Sequence, residues 1–441
     1  MALLRENTPS NQHLIFLALI LVALASRFGY CQAAEEHHAD MSTSTLSSGT
    51  GEGEHGDDHH ESHEVYAVIF PWFIQAVGIL VYFLLTRYVH AIPYTAVMFL
   101  TGIFMGVGGE LRNDSNILGQ SIQLWTEIDN EVLFTVFLPG LLFKDALEIN
   151  FHLLTACITQ LLWLAFPLVL ISTILTALVG FYIFPYGWSW YMSLTFGCIL
   201  AATDPVAVSA LLNEVGAPPR LKIHISGESL LNDGSAVVFF FVFGGLFLHE
   251  VGIVALGEDS TIGEAFALFF RMALGGAGIG LAFAIVLRFI LYKLDRRQDK
   301  EEIVLQVTAT VTIAYLSFFV SEVVAGCSGV IAVVTTGIFT KAFAAGLISD
   351  WSVMDSFWSL LEHLLNTVIF ALGGTVFGAI ITRDTWRGRD WGYLFVLFIL
   401  VNIIRFICLF GSFPLTSRIG LKTTWQETFF ASAGGLRGAV G

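Results

Sequence analysis

Charge is what this sequence has least of. Only 13% of its 441 residues are Asp, Glu, Lys or Arg, against about 25% in an ordinary soluble domain. With 55% hydrophobic residues, a soluble fold would lack the polar surface needed to cover itself, and that class is set aside. Basic residues are scarcer than acidic ones, 21 against 36, for a formal charge of −15. Nucleic-acid binding requires a basic footprint, so that class goes too. Cysteine is sparse: Cys31, Cys157, Cys198, Cys327 and Cys408 are scattered, four of them inside apolar runs. They offer no disulfide framework and no zinc spacing, and read as buried structural thiols.

What the chain has instead is long apolar stretches. They recur from Val65 onward, many reaching the roughly 20 residues that cross a bilayer. The expected class is an all-α polytopic membrane protein, with spans near 65–88, 91–108, 128–148, 153–183, 189–212, 223–249, 264–293, 302–321, 325–345, 354–381, 390–412 and 425 onward. Before them lies a short apolar core at 14–24, preceded by Arg5 and followed by Cys31-Gln32-Ala33-Ala34. Residues 1–33 therefore read as a signal peptide, with an uncleaved anchor as the alternative. Residues 34–64 are Ser-, Thr- and Gly-rich and read as a disordered extracellular or lumenal tail. Nine acidic side chains and no Lys or Arg occur at 35–65, together with His37, His38, His55, His59, His60 and His63. Such tracts can collect metal; a solvated, pH-responsive leader is the plainer reading. The remaining domain, 65–441, is expected to be incomplete at its end, because Gly441 falls inside the last apolar run.

With the tail outside, eleven Lys and Arg fall at cytoplasmic ends, from Arg87 and Lys144 through the 293–300 cluster to Lys422. Four (Arg112, Arg383, Arg387 and Arg389) fall outside, which favours this orientation. The sequon at Asn113 then lies in an outer loop and is a glycosylation candidate. Lys144, Asp145 and Glu148 sit at a cytoplasmic span end, where snorkelling accounts for them. Glu322 is expected to be solvated at an outer boundary. Gly275, Gly276, Gly278 and Gly280 read as close helix packing.

Ionisable groups at bilayer depth are costly and mark function. Two adjacent spans carry them. In Thr203-Asp204-Pro205 the proline removes a backbone donor and disfavours helix at Asp204, so the helix is expected to break there. A break in mid-membrane frees carbonyls and is tolerated where they line a polar cavity; a simple proline kink is the alternative. In Gly227-Glu228-Ser229-Leu230-Leu231-Asn232-Asp233, Ser229 and Asp233 share one helix face and Glu228 and Asn232 another. The first pair is assigned to an ion-facing side, the second to a scaffold side. Desolvated carboxylates near each other hold either a proton or a hard cation such as Na⁺, and competition for one site at Asp204 and Asp233 is itself a mechanism of exchange. Arg405, mid-span, needs a buried anion, for which Glu228 is the best remaining candidate. Arg437 lies in the glycine-rich Gly434-Gly435-Leu436-Arg437-Gly438 and is given a structural gating role, with a place near a surface as the alternative.

These segments resemble the monovalent cation/proton antiporters of the sodium/proton exchanger superfamily. The likeness rests on Ala202-Thr203-Asp204-Pro205-Val206-Ala207-Val208, on Gly227 to Gly234, and on Gly434 to Ala439, and covers 65–441. It looks nearest to the plasma-membrane branch of plant salt-tolerance and sperm-type exchangers. The resemblance implies a 13-helix inverted-repeat antiporter fold, with about 12 helices present here, and a linker helix near 264–293. It implies a homodimer with an elevator-like core. It further implies an ion site at Thr203 (backbone), Asp204, Ser229 and Asp233, supported by Pro205, Glu228, Asn232, Arg405 and Arg437. Asn232 before Asp233 is similar to electroneutral members, implying 1:1 exchange. No cofactor is expected beyond the transported Na⁺ and H⁺, with K⁺ or Li⁺ as alternative ions. A passive channel using the same carboxylates, or a non-transporting receptor-like scaffold, are the competing classes. One departure is the single proline in Leu138-Pro139-Gly140, where many members have two.

Overall fold

The computed structural model describes residues 66–441 apart from 89–91, 113–116, 204–207, 209–211, 213–215, 253–261, 295–299, 383–387 and 435–441. The segments read as signal peptide and acidic tail, with Asn113, Asp204, Pro205 and Arg437, thus lie outside the described residues. Those that are described fall into two compact units: within Met1–Phe70 and Asn113–Leu124, and within Pro71–Arg112 and Trp125–Gly441.

No strand occurs among the described residues. The helices are α1 (Ile69–Tyr88), α2 (Tyr94–Arg112), α3 (Ile117–Thr126), α4 (Asn130–Glu148), α5 (Phe151–Trp163), α6 (Val169–Tyr182) and α7 (Trp190–Ala201). They continue with α8 (Pro219–Glu250), α9 (Ile262–Leu294), α10 (Lys300–Phe319), α11 (Gly329–Ala344), α12 (Trp351–Ile381), α13 (Gly388–Thr416) and α14 (Trp425–Ala433). Eight helices among the described residues are long and apolar enough to cross a membrane. The chain is a multi-pass membrane protein. The expected spans correspond to these helices, except that α3 was not anticipated; its Gln120, Ser121 and Gln123 interrupt the apolar run.

Prolines mark the irregular turns. Pro167 sits in a π-turn, Leu164–Leu168, that joins α5 to α6. A widened turn absorbs the missing N–H without ending the helix. Pro139 lies inside α4, and Tyr315 donates to the Val136 carbonyl at 2.9 Å in the turn before it.

Two groups of helices make up the larger unit. In one, α2 packs on α12, and α4, α9, α10 and α11 pack on one another. In the other, α5, α6, α7, α8, α13 and α14 pack on one another. Helix α8 touches both, contacting α7 and α5 on one side and α11 and α9 on the other. The main apolar cluster bridges them, with Leu230 among Phe143, Val330 and Trp358.

Glycine sets how closely the helices approach. A Cβ on Gly102 or Gly106 would strike the Ala371 or Thr375 carbonyl, and one on Gly374 or Gly378 would strike that of Phe99 or Ile103. Both helices thus present a small-xxx-small pair, and α2 runs parallel to α12. In the same way Gly276 and Gly280 of α9 lie on the Ser328 and Ala332 carbonyls of α11, and Gly275 on Cys327. The expected glycine packing is seen at these three. Gly278 is the exception, with nothing within 4 Å of its Cβ position, because it points off the i, i+4 row.

Other charged groups also differ from expectation. Lys144 does not snorkel: it is 2% exposed, and its Nζ reaches Glu148 at 2.7 Å and Asp355 at 2.8 Å. Two carboxylates offset its desolvation and tie α4 to α12. Glu322 is not simply solvated. It is half-buried in a second π-turn, Val320–Val324, where its carboxylate accepts the Gly329 N–H at 2.6 Å. An anion at a helix N-terminus is favourable there. Cys157, Cys198, Cys327 and Cys408 are free and buried, as their apolar neighbours suggested.

Candidate functional site

Helix α7 begins at the Ser189 cap, whose hydroxyl accepts the Met192 N–H. It ends after 12 residues, and Ala202 is already extended, with φ −61° and ψ 140°. At 1.5 Å per residue such a helix covers roughly 18 Å, little more than half of a ~30 Å hydrocarbon core. The helix therefore stops at membrane depth, its last residue, Ala201, three before Asp204. That boundary is the one anticipated from Pro205.

Beside this end runs α8, 32 residues without interruption. It closes the break with two side chains. Ser229 donates its hydroxyl to the Thr203 carbonyl. Asn232 donates through Nδ2 to the Ala201 carbonyl and to Thr203 Oγ1, both at 3.2 Å. The orphan carbonyls at the α7 terminus are thus partly satisfied by a neighbouring helix rather than by a further turn. The i, i+3 spacing of Ser229 and Asn232 aims both at one point, so Asn232 does more than the scaffold-side assignment anticipated.

Glu228 points the other way. Its carboxylate pairs with Arg405 Nη2 of α13 at 3.2 Å, with side-chain exposures of 7% and 12%. The same Nη2 donates to the Ala431 carbonyl of α14 at 3.1 Å. Arg405 therefore joins three helices. The buried anion sought for it is Glu228, and Glu228 does not join a carboxylate pair with Asp233.

Helix α14 is the second short element, nine residues starting from a Thr424–Glu427 capping box and ending at Ala433 before Gly434. Glu427 also pairs with Arg220 of α8. Its C-terminal end meets the residues that follow the α7 break: a Cβ on Gly434 would lie 3.1 Å from the Val208 side chain. The C-terminal end of α14 thus lies against Val208, with Arg405 bound to the Ala431 carbonyl of the same helix.

Asp233 and Ser229 line a cavity of about 300 Å³ that extends past Ser226 and Lys222 to Asp145, Glu148 and Glu362. Three carboxylates against one lysine at its mouth make it cation-attracting. Asp145 and Glu148 were passed over as ordinary span-end charges. Their i, i+3 spacing on α4 was the only sequence signal for a shared lining. The oxygens of Ser229 and Asp233 on its wall, with the Thr203 carbonyl that Ser229 contacts, are hard donors of the kind a small hard cation takes rather than a soft metal. Among the described residues no cluster of three His, Cys, Asp or Glu has metal-site geometry.

Gln160 of α5 was missed altogether. It is buried and donates Nε2 to the carbonyls of Thr416 and Leu421, at 2.5 and 2.8 Å, stapling the loop that leads into α14. A lone amide within the 153–183 apolar run was its sequence signal.

Comparison with known proteins gives a consistent result. The structure of the sodium proton antiporter MjNhaP1 from Methanocaldococcus jannaschii superposes with a TM-score of 0.65 at 22% identity, covering 86% of this chain and 84% of that one. The fold is therefore the antiporter fold. "Sodium/hydrogen exchanger 7" of Arabidopsis thaliana is 36% identical over 86% of this chain and 32% of its own length. "Sodium/hydrogen exchanger 8" of the same plant is 34% identical over 86% of this chain and 49% of its own length. This chain thus spans about a third of one of those relatives and about half of the other. Residues 73–441 match the family described as "Sodium/hydrogen exchanger, transmembrane", and the chain belongs to that family of transporters.

Proposed function

We propose that this protein is a secondary active antiporter that exchanges Na⁺ for H⁺, with K⁺ or Li⁺ as alternative cations. The observation that carries the reading is the meeting, at membrane depth, of a helix terminus with Ser229 and Asp233 at the inner end of an acidic cavity. Asp233 is the carrier of proton or cation and Asp204 its partner. Both cannot stay charged and unliganded in a low-dielectric site, so loss of a proton favours cation uptake and the reverse. Ser229 and the Thr203 carbonyl complete the cation shell. Glu228 with Arg405, and Asn232, hold the two helices in place, while Pro205 supplies the break and Arg437 gates it.

Exchange follows alternating access, in which the core helices move against the α2, α4 and α12 group in each subunit of a homodimer. With one titrating carrier and Asn232 beside it, the stoichiometry is 1:1 and electroneutral. The plasma membrane is the proposed location, and regulation of internal pH and sodium the role.

The test is Na⁺-driven dequenching of a pH dye in proteoliposomes, comparing wild type with Asp233→Asn. Loss of exchange with unchanged expression and monodispersity is expected. Wild-type exchange rates in the variant would remove Asp233 from the site, and unitary currents in wild type would replace the antiport reading with a channel.

A further inference from the structure

On the face of α8 opposite the cation cavity lie two smaller ones. One, of about 40 Å³, is lined by Gln160, His224, Glu228, Ser412, Thr416 and Glu427 among others. The second, of about 20 Å³, is lined by Ser172, Ala201, Glu228, Asn232 and Arg405 together with apolar side chains and Cys408. They share Leu164, Glu228 and Leu409, so they meet at Glu228, whose partner Arg405 lines the second. A water needs roughly 10–15 Å³ of such volume and two to four polar partners. The first has room for about three waters and the second for one.

The polar partners are present and unused. Gln160 Oε1, His224 Nε2, Asn232 Oδ1 and Arg405 Nε are all buried and hydrogen-bond to no group among the described residues. Gln160 and Asn232 are each 2% exposed and His224 8%. Leaving four such atoms dry would cost about 1–3 kcal/mol each, and all four belong to side chains on these two cavities. Three further atoms of this kind among the described residues, Trp163 Nε1, Thr173 Oγ1 and Thr340 Oγ1, lie apart from these cavities; the other four share two adjoining cavities.

We propose that the two cavities form one internal water site, and that His224 is the group through which this site gains and loses a proton. His224 is one turn before Glu228 on the same face of α8. The charged groups facing it are Arg220 and Glu228 of its own helix, Glu427 of α14, and Arg405 of α13 across Glu228. Gln160 of α5 and Ser412 and Thr416 of α13 are the neutral neighbours. Imidazole changes charge near neutrality. A proton on His224 places a third cation between the Arg220–Glu427 and Arg405–Glu228 pairs, competing for both carboxylates. Those pairs hold α8, α13 and α14 in register around the break. The protonation state of His224 thus sets how firmly the broken segments are clasped, by a route that does not pass through the cation cavity.

This inference rests on the antiport reading for its functional consequence but not for the water site itself, so two readouts separate them. In a cryo-EM map of the wild-type protein in nanodiscs at water-resolving quality, ordered density is expected within hydrogen-bonding distance of His224 Nε2, Gln160 Oε1 and Asn232 Oδ1. A dry pocket in such a map overturns the proposal. In proteoliposomes, His224→Gln keeps size and polarity and removes the titration. It is expected to retain the wild-type maximal rate and lose the part of the pH response between about pH 5 and 8. A pH profile superimposable on wild type also overturns it. Absence of exchange in wild type would count against the antiport reading while leaving the water density to decide the site.

Discussion

At the scale of the residue, the ion pair between Glu228 and Arg405 decides most. Each is a charge removed from water, acceptable only because of the other and the Ala431 carbonyl. Glu228→Gln strands Arg405, with its Nε already unpartnered among the described residues. Breaking a buried pair from one side costs about 3–5 kcal/mol, so the single variant should melt well below wild type in detergent. The double variant Glu228→Gln, Arg405→Gln removes both charges and should lose less than the sum of the singles. Equal, additive losses would mean the pair is not coupled. Residue spacing on α8 was legible in advance: five positions separate Glu228 from Asp233, which puts their carboxylates on different faces. The partner of Lys144 was not. Asp355 lies 211 positions away, and no local pattern identifies it.

At the scale of the element, two rules of opposite kind operate. Helices α7 and α14 are short because their sequences stop them, at Ala202 before Pro205 and at Gly434-Gly435. Helices α2, α9, α11 and α12 approach closely because glycines let a backbone carbonyl occupy the place of a Cβ. Gly374→Leu should therefore part α2 from α12, with an overpacking cost of about 1–3 kcal/mol or more, measured as a fall in melting temperature. Gly278→Ala, on a helix face with open space, should be neutral or mildly stabilising, because alanine is the better helix former by roughly 1 kcal/mol. Equal destabilisation by both would contradict the packing described. The sense of each contact follows the count of spans between partners. Spans two apart, α9 and α11, run parallel, while adjacent α6 and α7 run antiparallel, with Gly197 against Thr173 and Gly180 against Ser193.

At the scale of the whole molecule, the consequence of this packing is a cavity of about 300 Å³ that reaches Asp233 from one end of the bundle. Ser226 lies on its wall one turn before Leu230 and two before Asp233. A Ser226→Cys variant should react with a membrane-impermeant thiol reagent from the side bearing Lys222 and Glu148 only, and Na⁺ should slow the reaction. Of the five native thiols, those at 157, 198, 327 and 408 are buried and should contribute little background, and Cys31 is replaced by serine for the assay. Labelling from the opposite side alone would invert the orientation inferred from Lys and Arg placement.

The sequence alone determined the membrane class, the positions of most helices, the break before Asp204 and the division of Ser229 from Glu228 on α8. These depend on hydrophobic run length, on proline, and on a 3.6-residue period, all local properties. Only the tertiary structure decided which carbonyls Ser229 and Asn232 satisfy, that Arg405 holds Ala431 as well as Glu228, that Asp145 and Glu148 face the same cavity as Asp233, and that Gln160 and His224 border a second one. Those relations join residues far apart in the chain. They follow from how helices settle against one another once buried polar groups must find partners without water, and no short window of sequence carries that information.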